Sequence, residues 1–126
     1  MAAPSDRRYL QTHEWHKAES GLITIGITQT AADELTDITF VSLPHVGQTL
    51  EVNSRFGEIE SVKATSDLYT GVAGTVRAVN EALVNDPGLV NRDPYEKGWM
   101  IKVSPSHDAD LKHLLSVEEY LKKSGH

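Results

Sequence analysis

The chain contains no cysteine. That removes disulfides, thiolate nucleophiles, iron–sulfur clusters and cysteine-based zinc sites together, so any redox chemistry must be brought by an attached group. No apolar run approaches the roughly 18 residues that cross a bilayer. Positive charge is also scarce: twelve Lys and Arg stand against eighteen Asp and Glu, and the net charge is −6. No basic cluster is longer than Arg7-Arg8 or Lys122-Lys123. Nucleic-acid binding draws on clustered cations that neutralise phosphate, so neither DNA nor RNA is expected as a partner. The acidity instead suits solubility and approach to basic surfaces on other proteins. Residues Met1 to Arg8 (MAAPSDRR) have no apolar h-region and are short for a transit peptide. The expectation is therefore a cytoplasmic protein with no membrane partner. No low-complexity stretch or linker interrupts the chain.

What is present is strand pattern. The 126 residues are the length of one domain, and residues 1–126 are read as a single unit with a flexible start over residues 1–8. Gly21 to Thr28 (GLITIGIT), Asp37 to Leu43 (DITFVSL) and Val72 to Val79 (VAGTVRAV) are rich in β-branched residues. Trp99 to Val103 (WMIKV) reads as another strand that stops before Pro105. Turn residues separate them at Glu19-Ser20-Gly21, Pro44 to Gly47, Asn53-Ser54, Asp86-Pro87-Gly88 and Asp93-Pro94. Such close spacing predicts a mainly β fold, a sandwich or small barrel, rather than a parallel α/β sheet. Helices are expected at the edges. One runs from Thr28 to Leu35 with Thr28 as its cap. A second covers Asp108 to Leu115, with Leu111, Leu114 and Leu115 on one face. A third opens at the capping box Ser116-Val117-Glu118-Glu119 and runs through Lys122, which places C-terminal helices over residues 108–123.

The most informative stretch is Gly57 to Val76, GEIESVKATSDLYTGVAGTV. Alternation before Lys63 predicts a strand that sends Glu58 and Glu60 to one face. Thr65 to Tyr69 suits a returning strand, which leaves Lys63 and Ala64 at the tip of a hairpin with the lysine side chain in solvent. A lysine there is the easiest amine for a modifying enzyme to reach, although an exposed one is mostly protonated at neutral pH. The plainer reading is a solvated charge that forms a weak surface pair with Glu60 or Asp67, worth at most about 1 kcal/mol. Spacing alone leaves both readings open.

Other signals carry less. Six histidines are present. His13 and His16, three apart on an expected strand, would face opposite sides, and His107 and His113 lack a convergent partner, so no metal site is expected. Gly71 and Gly74 form GVAG without the Lys-Ser/Thr and helix of a phosphate loop, and are read as permitting a tight bend. Ser66 beside Asp67 has no histidine in a recognised catalytic order. Tyr9, Trp15, Tyr95 and Trp99 read as packing residues.

ESVKATSD with the following GVAGTV resembles the lipoyl-attachment hairpin of the glycine cleavage system H-protein family. The likeness extends to His13-Glu14-Trp15, to Gly26–Gly47 (GITQTAADELTDITFVSLPHVG), to Val90–Val103 (VNRDPYEKGWMIKV) and to Leu114–Lys122 (LLSVEEYLK). The order of these motifs is that of the family. The resemblance implies a barrel-sandwich hybrid, lipoyl/biotinyl-carrier-like, with short flanking helices. It implies lipoate amide-linked to Lys63 and no catalysis by the chain itself. The implied partners are the pyridoxal-phosphate glycine decarboxylase (P protein), the aminomethyltransferase (T protein), dihydrolipoamide dehydrogenase (L protein) and a lipoate ligase or lipoyltransferase. The carrier, expected as a monomer, would take the aminomethyl group of glycine from the first enzyme to the second and electrons to the third. Glu14 and Asp67 match arm-contacting positions and are candidate carboxylates for the cationic amine of the loaded arm. The family usually has Gly where Thr36 stands, Pro in place of Gly71, and Asn and Gly where Asp86 and Glu96 stand. Those departures touch turns and element ends. Three alternatives stay open: a biotin carrier domain, although Val62 and Ala64 flank the lysine where methionines are usual; a lipoyl domain of a 2-oxo-acid dehydrogenase; and an H-like interaction module whose lysine stays bare.

Overall fold

The β-branched segments become strands because alternate side chains enter a shared core. The structure is a computed structural model in which residues 3–106 and 111–123 are described. In chain order the elements are β1 (Arg8–Tyr9), β2 (Glu14–Glu19), β3 (Leu22–Ile27), α1 (Gln29–Leu35), β4 (Ile38–Ser42), β5 (Thr49–Leu50), β6 (Arg55–Ser61) and β7 (Thr65–Tyr69). They continue with β8 (Gly74–Val79), α2 (Ala82–Asn85), α3 (Leu89–Arg92), β9 (Ile101–Pro105) and α4 (Val117–Lys123). One sheet has six strands in the order β1-β2-β3-β9-β8-β5, the other three in the order β4-β6-β7, and every pairing is antiparallel. This is the mainly β, barrel-sandwich hybrid architecture with short helices at its margins. The strand expected to stop before Pro105 includes that proline, paired with Gly74 at the strand end.

Ile23, Ile25, Ile59, Leu68, Val76, Ile101 and Val103 form the main core between the sheets. A second cluster is aromatic: Tyr9, Trp15, Tyr95 and Tyr120. Trp15 lies over Gly26, where a Cβ would come within 2.6 Å of the indole, and its Nε1 donates to Ile27 O and Pro94 O at 3.0 and 3.1 Å. Tyr9 and Tyr120 stack at 4.8 Å, an arrangement worth about 0.5–1.5 kcal/mol beyond the area buried.

Several expectations need correction. Arg7 and Arg8, placed in a flexible start, are tied down. Arg7 is 5% exposed, stacks 4.7 Å from the Trp15 ring and donates to Tyr95 O at 2.9 Å, while Arg8 pairs with His16 in β1. The helix expected over Asp108 to Leu115 is not formed in its described part. Residues 111–115 make a turn and a bridge between Leu115 and Tyr9, because Leu114 and Leu115 are drawn onto the sheet rather than onto a helical face; residues 107–110, His107 included, lie outside the described residues. Thr28 and Ser116 cap as expected: Ala31 N donates to Thr28 Oγ1, and Ser116 and Glu119 exchange the two bonds of a capping box at 2.9 and 3.2 Å. Phe56 and Gly57 are both buried, since a bulge at the start of β6 breaks the alternation before Glu58 and Glu60.

Candidate functional site

β6 and β7 pair from Arg55↔Tyr69 to Glu60↔Thr65, and residues 62–64 close the hairpin. Ser61 shapes the turn. Its Oγ accepts from Lys63 N at 3.1 Å and Ala64 N at 3.0 Å, and its own N–H bonds Ala64 O at 2.8 Å. Val62 N donates to Asp37 O at 3.1 Å, so the tip is braced against the start of β4. Lys63 is exposed at this tip, as expected, but its amine is not free in water: Nζ donates to Glu34 O at 3.2 Å, at the C-terminal end of α1. That is where a cation meets the negative end of a helix. The alternative partners Glu60 and Asp67 are not used. Asp67 instead accepts from Arg55 Nε at 2.9 Å, and Arg55 also binds Glu58 at 2.7 Å.

A groove of about 400 Å³ runs back from Lys63 between α1 and the hairpin. Ile27, Ala31, Leu35, Ile59 and Leu68 make it apolar, while Thr12, Glu14 and Asp67 supply its polar positions. Glu14 is 1% exposed at the start of β2, and its carboxylate joins the two sheets. Oε1 accepts from Thr12 Oγ1 at 2.5 Å and Oε2 from Tyr69 N of β7 at 2.8 Å. Burial disfavours the charged form, and despite these two bonds the carboxyl is pushed up to about 7. Asp67 stays exposed in its ion pair. The structure thus brings Lys63, Glu14 and Asp67 to one groove. A poised carboxyl at a narrow apolar site can hold or release a proton near neutral pH and attract an ammonium group.

Three contributors were not foreseen. Glu34 and Thr12 line the groove, and only the two-residue spacing of Thr12 from Glu14 hints at their contact. His13, set aside as a packing histidine, precedes β2 rather than lying in it, has φ +85° and also lines the groove. His16 and His113 converge on the backbone of one residue, Gly71: Gly71 N donates to His16 Nε2 at 2.9 Å, and His113 Nε2 donates to Gly71 O at 2.6 Å. Gly71 and Gly74 have no positive φ among the described residues. The reason for glycine at 71 is close approach rather than a bend, because a Cβ would meet Leu114 Cδ2 at 2.6 Å and His16 Nε2 at 3.2 Å. Among the described residues, no three His, Asp or Glu side chains are grouped to hold a metal ion.

A small barrel-sandwich protein that presents one lysine at a hairpin tip, above a groove with a buried carboxyl, has the form of a carrier scaffold. The family profile described as glycine cleavage H-protein matches residues 7–126. The chain is 51% identical to the glycine cleavage system H protein of Bacillus cytotoxicus over 120 residues, which is 95% of this chain and 94% of that one. It is 49% identical to that of Oceanobacillus iheyensis, over 95% of each chain. The crystal structure of a glycine cleavage system H protein from Mycobacterium marinum superposes with a TM-score of 0.90 at 37% identity, covering 98% of this chain and 100% of that one. The chain belongs to the glycine cleavage H-protein family.

Proposed function

We propose that this chain is a single lipoyl-carrier domain of the glycine cleavage system, with lipoate amide-linked to Lys63. It is a carrier subunit and acts as a monomer in the cytoplasm. Its partners are glycine decarboxylase, aminomethyltransferase, dihydrolipoamide dehydrogenase and the lipoate ligase or lipoyltransferase that modifies it. When attached, the lipoyl group supplies a dithiolane that receives the aminomethyl group and afterwards gives up electrons.

The observation that carries this reading is the continuity of Lys63 with the groove. The residues present fit the arm: Ile27, Ala31, Leu35, Ile59 and Leu68 suit its methylenes, and Glu14 and Asp67 suit a cationic amine near its end. Thr12 and Tyr69 N fix the Glu14 carboxyl, so it presents a charge without reorganising. An ammonium beside it would favour its ionised form. The groove walls exclude water from whatever lies between them. Glu34 and Asp37 stand against the hairpin tip and Glu58 and Glu60 lie on β6, an acidic setting that suits basic partner surfaces.

The test is the intact mass of protein co-expressed with a lipoate ligase, alongside Lys63→Ala. The expected result is a lipoyl increment on the wild type, none on the variant, complete loss of carrier activity, and a nearly unchanged unfolding midpoint, since only one exposed bond to Glu34 O is lost. A bare Lys63 would sink the reading in favour of the unmodified module, and a biotinyl increment would favour the biotin carrier.

A further inference from the structure

Tyr120 of α4 is buried, distant in sequence from the groove, and bonded to both of its sides. Its hydroxyl lies 2.5 Å from His13 Nδ1 and 2.9 Å from Thr28 Oγ1. His13 lines the groove on the side of the turn before β2, and its backbone O accepts from Thr28 N at 3.0 Å. Thr28 is the N-cap of α1, whose Ala31, Glu34 and Leu35 form the facing wall. The bonds form one continuous chain. Thr28 Oγ1 accepts from Ala31 N at 3.3 Å and is bonded to the phenol oxygen, which is bonded in turn to His13 Nδ1. The His13 ring also meets the Tyr120 ring edge-on at 5.6 Å, and its left-handed backbone is one that few side chains adopt without outside support.

We propose that the Tyr120 hydroxyl is a positioning residue for the carrier groove: by holding His13 and the N-cap of α1 together it sets the groove's width and keeps the loaded arm dry. The inference rests on the parked-arm reading above and deepens it, because it makes the C-terminal helix part of the site. Tyr9 supplies an internal control. It stacks on the same ring, but its hydroxyl donates to Pro4 O at 2.5 Å instead.

The experiment compares Tyr120→Phe with Tyr9→Phe in the full chain. In the unmodified protein, nuclear magnetic resonance of the His13 ring nitrogens reads the bond directly, and the Nδ1 shift is expected to move in Tyr120→Phe and to stay in Tyr9→Phe. In the lipoylated, glycine-loaded protein, water attacks the aminomethyl carbon, the carbon–sulfur bond breaks, and formaldehyde, ammonia and the free thiol result without any change of oxidation state. The release of formaldehyde is expected to rise about fivefold in Tyr120→Phe, the loss of roughly one neutral hydrogen bond. Tyr9→Phe is expected to release it at the wild-type rate, and both variants to be lipoylated as fast as the wild type. Equal protection in Tyr120→Phe, or equal loss in the two variants, overturns the assignment to Tyr120 alone. Release from the wild type as fast as from free loaded lipoamide overturns the parked-arm reading beneath it as well.

Discussion

Glu14 and His16 lie two residues apart on β2, both with side chains turned inward, and burial drives them in opposite directions. Glu14 has both oxygens bonded and borders the groove, and its carboxyl is raised to about 7. His16 is fully buried against Gly71, and it is lowered to about 3, chiefly by desolvation, with the Glu14 backbone pulling the other way and His113 adding a smaller push downward. Its Nε2 accepts from Gly71 N, so Nδ1 carries the proton. The first group is poised to change charge where a ligand would meet it. The second is locked neutral in a contact that holds the connection between β7 and β8 to β2. Burial of an ionisable group therefore does not by itself mark a site; access to a groove separates the two.

The largest effect is expected where the locked end is broken. Gly71→Pro removes the N–H that His16 accepts and pushes ring atoms toward Leu114, for a loss of about 2–4 kcal/mol by denaturant unfolding at pH 7. Proline is the usual family residue here, so the cost belongs to this chain's histidine. Adding His16→Val to that variant is expected to recover about half of the loss, whereas His16→Val alone costs about 1–3 kcal/mol by stranding the Gly71 N–H. A double variant no better than Gly71→Pro would break the proposed coupling.

The pH profile sharpens the contrast. His16 has a folded value below its ordinary 6.5, so the unfolded chain binds the proton more readily. Its contribution is intact above about 6.5 and is lost as pH falls toward 3. Glu14 has a folded value above its ordinary 4.5, so the folded chain holds the proton. Its contribution is present below 4.5 and is lost as pH rises through about 7. Glu14→Gln is therefore expected to flatten the decline in stability between pH 4.5 and 7, to leave the acid limb in place, and to abolish protection of the loaded arm. His16→Val should remove the acid limb only. Unfolding midpoints measured across that range check both, and identical profiles would erase the distinction.

The smallest change is on the groove side, away from either titrating group. Thr36 ends α1 at φ +62°, ψ −146°, a conformation suited to glycine, which is the family's usual residue there. Thr36→Gly is expected to stabilise by about 1 kcal/mol without changing lipoylation or the pH profile, and a loss of stability would count against strain at that position.

The strands around Ile23, Val41, Val76 and Ile101, the Thr28 and Ser116 caps and the Lys63 hairpin were legible in the sequence. Each depends on local periodicity, β-branching or a capping side chain a few residues away. The lipoyl-lysine reading of Lys63 was not legible from spacing; it rests on the resemblance of motifs along the whole chain. The coil at residues 111–115 was misread because a helical spacing of leucines also suits a segment drawn onto a sheet, and that contact with Tyr9 is 106 residues away in sequence. Absence of cysteine by itself determined that any thiol or disulfide chemistry must come from an attached group, since composition bounds chemistry whatever the fold. Only the tertiary structure decided that Lys63 rests on α1, that Glu14 and not His16 faces the groove, and that Tyr120 joins its two walls. Those facts depend on which distant strands and helices meet, and desolvation and hydrogen bonding take their strength from that meeting.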